Sequence, residues 1–380
     1  MGKRVFFFKK YSPAFCRNLS LNRFFYIFAA QFIKDDHDCN ICKMKKVFVH
    51  YIIVATLATS AAFAQEPGKI TMSRQSHGEV RFLMEGTGKA TVDWGDGTTE
   101  ECSLEETEEV IVYTCSHITG NDTTWIGAKK GGDRSRFYIG DSLRTITITG
   151  ENITLLECRN NKITSIDISK NAALTELVCS RNQLTSLDVS KNAALTVLDC
   201  SGNQLTSLDV SKNAKMKSLK CYTNQLPSLE VSKNAALTEL DCSGNPLTSL
   251  DVSKNDALTV FHCSNNELTS LDVSKNTTLS ELVCPNNQLT SLDVSRNTAL
   301  TELNCWNNWL TSLDVSKNTA LAKLSLSWNQ LDAAALNALF ETLHSDHLTV
   351  KWIRINHNPG EKDCDRSIAI NKGWGGLPLK

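Results

Sequence analysis

Between residues 158 and 329 the apolar and polar positions recur with a period of 21. One unit reads Leu174-x-x-Leu177-x-Cys179-x-x-Asn182-x-Leu184 and is followed by Thr-Ser-Leu-Asp-Val-Ser-Lys-Asn. Cys158, Cys179, Cys200, Cys221, Cys242, Cys263, Cys284 and Cys305 fall 21 apart without a slip. So do Asn161, Asn182, Asn203, Asn224, Asn245, Asn266, Asn287, Asn308 and Asn329. Leu177 and Cys179 alternate with polar or variable residues, which predicts a short strand with one buried face. The Asn side chain both donates and accepts, so it suits the turn leaving that strand, where backbone groups are cut off from water. Leu187 and Val189 give a second inward pair on the return side. About ten residues remain for the return, which favours extended segments and 3₁₀ turns over α-helices. A unit this short cannot bury its apolar face alone, whereas stacked units share one core.

This unit resembles the leucine-rich-repeat family, in the short bacterial variety of the internalin-type surface proteins. The resemblance covers about residues 150–331. It departs from the family in placing Cys where a third Leu is usual; Leu326 restores Leu in the last unit. The resemblance implies an α/β-type leucine-rich-repeat solenoid, mostly parallel β with 3₁₀ turns. It also implies a secreted or cell-surface protein that binds a protein partner, or mediates adhesion, through the concave face of the solenoid.

The flanks lack the repeat. Residues 66–150 hold short alternating stretches such as Lys89–Trp94 and Leu143–Ile148, which predict a small β-sandwich that also covers the end of the solenoid. Within it, Val92-Asp93-Trp94-Gly95-Asp96-Gly97 resembles the turn of PKD-type, immunoglobulin-like modules; a tight Asp-Gly turn accounts for the same residues without a metal. Cys102 and Cys115 are the candidate disulfide. Residues 332–380 read as an α/β cap: Asp332 as a helix N-cap before Ala333–Leu343, a strand over Leu348–Ile355, an Asn358-Pro359-Gly360 turn and a short helix over Asp363–Lys372.

At the other end, Met44-Lys45-Lys46, the apolar Val47–Ala61 and Ala62-Phe63-Ala64 have the build of a signal peptide (residues 44–64) cleaved near Ala64. The apolar run is short for a membrane span. Translation is then expected to begin at Met44, with residues 1–43 upstream of the true start, so the Cys39-x-x-Cys42 spacing carries no weight. The whole chain has a net charge of −1. Residues 1–64 hold ten Lys/Arg and three Asp/Glu, so without them 30 basic residues face 38 acidic ones, a net of −8. An acidic chain is a poor match for nucleic acid or anionic lipid.

Candidate chemistry is sparse. No Gly-x-Ser-x-Gly, phosphate-binding loop, dinucleotide fingerprint or His-Glu-x-x-His is present, and neither an enzyme nor a cofactor is expected. The eight repeat Cys share one inward position, where strained bridging geometry favours free, buried thiols over disulfides. Asp188, Asp209, Asp251, Asp272, Asp293 and Asp314, with Glu230 on one rung, form a carboxylate column beside a column of Lys (Lys191, Lys212, Lys233, Lys254, Lys275, Lys317). Turn capping and offset charge explain the pair better than calcium does. His344 and His347 make an incomplete metal site. Function is sought instead where the units differ. On the concave face Asp199, Lys220, Asp241, His262 and Asn304 precede the inward Cys, and Tyr222, Trp306 and Trp328 follow the inward Cys or Leu. Exposed aromatics of this kind anchor partners or stack on sugar rings, so a protein ligand or a glycan is expected, with the chain itself a monomer.

Overall fold

The computed structural model describes residues 68–74, 82–94, 97, 99–104, 113–115, 144–346 and 350–377. The signal peptide, the Met44 start and His347 lie outside the described residues. From residue 155 onward the chain winds into a stack of near-identical coils, and each coil contributes one short strand to a parallel sheet. These strands are the end of β5 (Arg144–Glu157), then β7 (Glu176–Val178), β8 (Val197–Asp199), β9 (Ser218–Lys220), β10 (Glu239–Asp241), β11 (Val260–His262), β12 (Glu281–Val283), β13 (Glu302–Asn304), β14 (Lys323–Ser325) and β15 (Trp352–Arg354). Register is exact: Leu240 pairs with Leu219 on one side and Phe261 on the other. The middle residue of every strand is buried, as are all eight repeat Cys and the Leu184-type and Val189-type residues. Together they form one apolar core along the coil.

Polar columns close each coil. Asn203 Oδ1 accepts the Leu184 amide at 3.0 Å, while Nδ2 donates to Cys179 O at 3.1 Å and Cys200 O at 2.9 Å. One amide thus joins two rungs and satisfies groups that water does not reach. A second buried column runs through Asn171, Asn192, Asn213, Asn234, Asn255, Asn276, Asn297 and Asn318 on the return side, and from Asn192 onward it joins rungs through its Nδ2 donors alone, its Oδ1 atoms accepting no bond. Asn213 Nδ2 donates to Val189 O at 3.1 Å and Asn192 O at 2.8 Å. The return is built from single turns, such as Asn192 N to Val189 O and Leu195 N to Asn192 O, rather than from helix.

The thiols of the Cys column are free and fully buried. Burial pushes the thiols of Cys158, Cys200 and Cys284 up to about 12. They therefore stay protonated and act as small apolar side chains.

At the N-terminal end, β1 (Gly68–Arg74), β2 (Phe82–Asp93), β3 (Thr99–Leu104), β4 (Tyr113–Cys115) and β6 (Ile163–Asp167) are antiparallel neighbours around β5. β5 runs directly into the first parallel rung, so the described strands form one sheet continuous with the solenoid, not two facing layers. The expected PKD-like sandwich is not supported. The Trp94–Gly97 segment joins β2 to β3, with Trp94 buried and Gly97 at a φ of 90°. The candidate disulfide does not fit the backbone register. Cys102 pairs with Ala90 and Cys115 with Phe82, eight positions apart along β2. That is roughly 26 Å of strand, far beyond the Cα separation a disulfide bridges.

The C-terminal end keeps the stack going after one enlarged coil. Helix α1 (Ala333–Thr342) starts at Asp332, whose carboxylate accepts the Ala335 amide at 2.8 Å. It buries Leu336, Leu339 and Phe340 against the last repeats. β15 then pairs in parallel with β14, and Asn358 takes over the Asn column by donating to Leu326 O and Ile355 O, both at 2.8 Å. Gly360 permits the closure, because a Cβ there would lie 2.1 Å from the first amide nitrogen of α1. The second helix, α2 (Ser367–Asn371), is shorter than the sequence pattern suggests.

Candidate functional site

The three-residue strands present two outward residues each, one on either side of the buried middle residue. These two columns are the outward face of the parallel sheet, the face that the leucine-rich-repeat resemblance expects to be concave, and they differ from rung to rung. The sequence-predicted Asp199, Lys220, Asp241, His262 and Asn304 all lie in the second column, on consecutive or nearby rungs. The first column, Glu176, Val197, Ser218, Glu239, Val260, Glu281, Glu302 and Lys323, was missed. Two of its members, Glu239 and Glu281, are the partners of the predicted Lys220 and His262.

Lys220 Nζ pairs with Glu239 Oε1 at 2.9 Å, and Ser218 Oγ donates to Glu239 Oε2 at 2.7 Å. His262 lies between two carboxylates, with Nε2 2.8 Å from Glu281 Oε1 and Nδ1 3.9 Å from Asp241 Oδ2. Lys323 meets Glu302 at 2.8 Å. Each contact joins neighbouring rungs: the Lys220, Glu239, Asp241, His262 and Glu281 contacts tie β9 to β12 into a chain of half-buried charges, and the Lys323–Glu302 pair links β13 to β14 separately.

The electrostatics follow from this geometry. Hydrogen bonding to Glu239 raises Lys220, with burial working against it. Burial alone would raise Glu239 and Asp241, but hydrogen bonds from Lys220 and Ser218 hold Glu239 below the usual carboxylate range, and His262 and Ser243 do the same for Asp241. His262 is held above its ordinary value, first by Asp241 and then by Glu281, against the opposing effect of burial. At neutral pH the patch therefore keeps its carboxylates ionised and its imidazole prone to protonation.

Tyr222, Trp306 and Trp328 lie just beyond the three-residue strands, which end at Lys220, Asn304 and Ser325. The inter-rung backbone bonds run on through them, with Tyr222 O accepting from Gly202 N at 2.8 Å and Trp306 O from Asn286 N at 3.0 Å, so these aromatics border the same face along the rim of the sheet. Tyr222 and Trp306 are half-buried, and Trp328 is exposed. The Asp column lies on the opposite, return side. Each member accepts the amide two residues on, as Asp188 does from Ser190 at 2.8 Å, and in Asp188, Asp209, Asp251, Asp272 and Asp293 this bond holds the carboxyl below the usual range. These carboxylates cap turns. His344 is held in the C-terminal cap, against Leu321 O at 2.6 Å and edge-on to Trp374. Among the described residues no group of three His, Cys, Asp or Glu could hold a metal ion. Among them, too, no helix is long and apolar enough to cross a membrane.

No family model matches the chain, and no curated protein matches it. Solved structures do. The functional domain of InlJ from Listeria monocytogenes, described as including a cysteine ladder, is 40% identical, with a TM-score of 0.52 over 59% of this chain and 49% of that one. The chain thus spans about half the length of that structure. An internalin from the same species is 22% identical, with a TM-score of 0.42 over 54% of this chain and 74% of that one. A leucine-rich-repeat protein of Leptospira interrogans is also 22% identical, with a TM-score of 0.42 over 53% and 60%. With the stacked parallel rungs and the buried Cys column already in place, the likeness to the InlJ domain identifies the fold: a leucine-rich-repeat solenoid similar to those of bacterial internalin-type proteins.

Proposed function

We propose that this chain is a protein-binding module that recognises its partner on the concave face of the parallel sheet and makes no bonds. The observation that carries this reading is the contrast between columns. Every inward column repeats Leu, Cys, Asn or Val with few exceptions, while the two outward strand columns vary and hold the Lys220–Glu239 and His262–Glu281 network. A rigid sheet with half-buried, mutually paired charges is preorganised, so little ordering cost attends binding. The likeness to the InlJ domain supports a recognition role over a catalytic one.

The finer reading is a secreted or surface-exposed adhesin, exported by the leader ending near Ala64. Its direct check is the N-terminus of the protein recovered from the medium or cell envelope. A start at Gln65 supports export, and a start upstream of Met44 overturns it. For recognition, the test is a display library of cell-surface ectodomains. A partner should lose at least tenfold in affinity with Asp241→Lys/Glu281→Lys and keep it with Asp188→Lys/Asp209→Lys. Equal loss in both variants would reduce the effect to net charge and overturn the reading.

A further inference from the structure

The residue preceding each Asn of the first column adopts a left-handed backbone. The series runs Asn160, Arg181, Gly202, Thr223, Gly244, Asn265, Asn286, Asn307, Trp328 and His357, with φ between 53° and 65°. Gly, and less readily Asn, Asp or His, enters this region at low cost, whereas a β-branched or bulky residue is strained there. Six of the ten positions carry Asn or Gly, and Arg181, Thr223 and Trp328 are the strained members. Of these three, only Trp328 is an aromatic, and it faces the better-suited His357 on the next rung. Strained positions of this kind persist where the side chain has a use.

Both rings are put on display. Trp328 is 50% exposed and stacks on His357, with centroids 4.2 Å apart and planes 25° off parallel. The backbone beneath is pinned, since Trp328 N donates to Asn356 O at 2.8 Å and Trp328 O accepts from Asn308 N at 3.2 Å. The residue after Asn308 is Trp309, 51% exposed. Among the described residues, Trp309 and Trp328 are two of three large exposed apolar side chains, and they sit on adjacent rungs of one rim.

The same rim continues as a ladder of surface amides. Asn307 Nδ2 donates to Asn286 Oδ1 at 2.8 Å, and Asn286 Nδ2 donates to Asn265 Oδ1 at 2.7 Å. The stretches 306–309, 327–330 and 356–358 contain no Asp, Glu, Lys or Arg. One carboxylate does reach them from outside: Glu361 accepts the His357 amide at 2.7 Å and lies 3.7 Å from Arg366, so its charge is already paired.

From this we infer a neutral-glycan subsite on the rim, separate from the concave face. Its floor is the Trp328–His357 stack with the exposed Trp309 on the adjacent rung, and its polar edge is the Asn265–Asn286–Asn307 ladder. A neutral sugar ring needs an apolar platform for its C–H face and fixed donors and acceptors for its hydroxyls. It needs no counter-charge. Rigid aromatics with adaptable amides supply that combination. A charged polypeptide would find no pairing partner in these stretches.

The test uses the full chain and a panel of neutral hexasaccharides of glucose, mannose and N-acetylglucosamine, with binding read by tryptophan fluorescence and calorimetry. The key variants are Trp328→Asn and Trp309→Ala. Trp328→Asn extends the amide ladder and suits the left-handed backbone, so the fold is kept while the platform is removed. At least one hexasaccharide should bind the parent protein, and each variant should bind it at least tenfold more weakly. Failure of the whole panel to bind overturns the inference, as does binding that survives in Trp328→Asn. So does a polypeptide partner that competes for the rim. Glycan binding unaltered by Asp241→Lys/Glu281→Lys would keep this subsite distinct from the concave face.

Discussion

Two columns run side by side along the turn that leaves the sheet. Asn182 and its equivalents are buried and identical on nine rungs, whereas the residue just before each varies from Arg181 to Gly202 to Trp328. The difference lies in what each position must do. The buried amide bridges two rungs through three or more hydrogen bonds, and no other side chain has both its donors and its acceptor at that length. The preceding residue must only adopt a positive φ, and its side chain points away from the core. Architecture fixes the first column and leaves the second free for use. The same contrast separates the buried Leu240 from its outward neighbours Glu239 and Asp241 on one three-residue strand.

The contrast predicts a graded set of effects. The largest should come from Asn245→Leu. It strands the Leu226 amide in the interior and leaves the Cys221 and Cys242 carbonyls with only the Asn224 and Asn266 side-chain donors, and should cost about 4 kcal/mol in urea unfolding. Leu240→Ala should cost about 3 kcal/mol, while Asp241→Ala beside it should cost under about 1 kcal/mol. A similar loss from both would erase the distinction between inward and outward columns. Trp328→Asn should instead raise stability, by up to about 1 kcal/mol, because it relieves a left-handed aromatic. The smallest effect is a pH dependence. The folded-state value of His262 is raised, so its contribution is fully present below the ordinary value near 6.5 and is lost as pH rises through the higher folded value. His262 is partly exposed, so the change is a few tenths of a kcal/mol, and it should vanish in His262→Gln when unfolding is compared at pH 5.5 and 8.5. The turn-capping Asp column behaves oppositely. Its lowered values stabilise the coil above the ordinary value of 3.8, and the gain disappears as pH falls through the folded values.

Much of this was legible in the 21-residue period. The inward Leu, Cys and Asn could be read directly, because a repeated constraint leaves a repeated residue. Asn358 could not. Helix α1 lengthens that coil to 29 residues, from Asn329 to Asn358, and the period fails just where the column continues. The partners of the concave face were hidden for another reason. Glu239 meets Lys220, and Glu281 meets His262, across 19 residues rather than 21, because the contact runs diagonally between adjacent rungs. Tyr222, Trp306 and Trp328 fall just past the three-residue strands, where the inter-rung backbone bonds continue along the rim. The N-terminal strands carry no period. Nothing in their alternation told a separate sandwich from a sheet that runs through β5 into the solenoid.

The separation of building columns from recognition columns is tested most directly by the melting temperature of a chain with Ser at Val197, Asp199, Lys220, Asp241, His262 and Glu281 together. If these outward residues serve recognition, the midpoint should stay within about 4 °C of the parent, the shift that roughly 1 kcal/mol produces in a chain of this size. A fall of more than about 10 °C would mean that they hold the coil together, and would contradict the account.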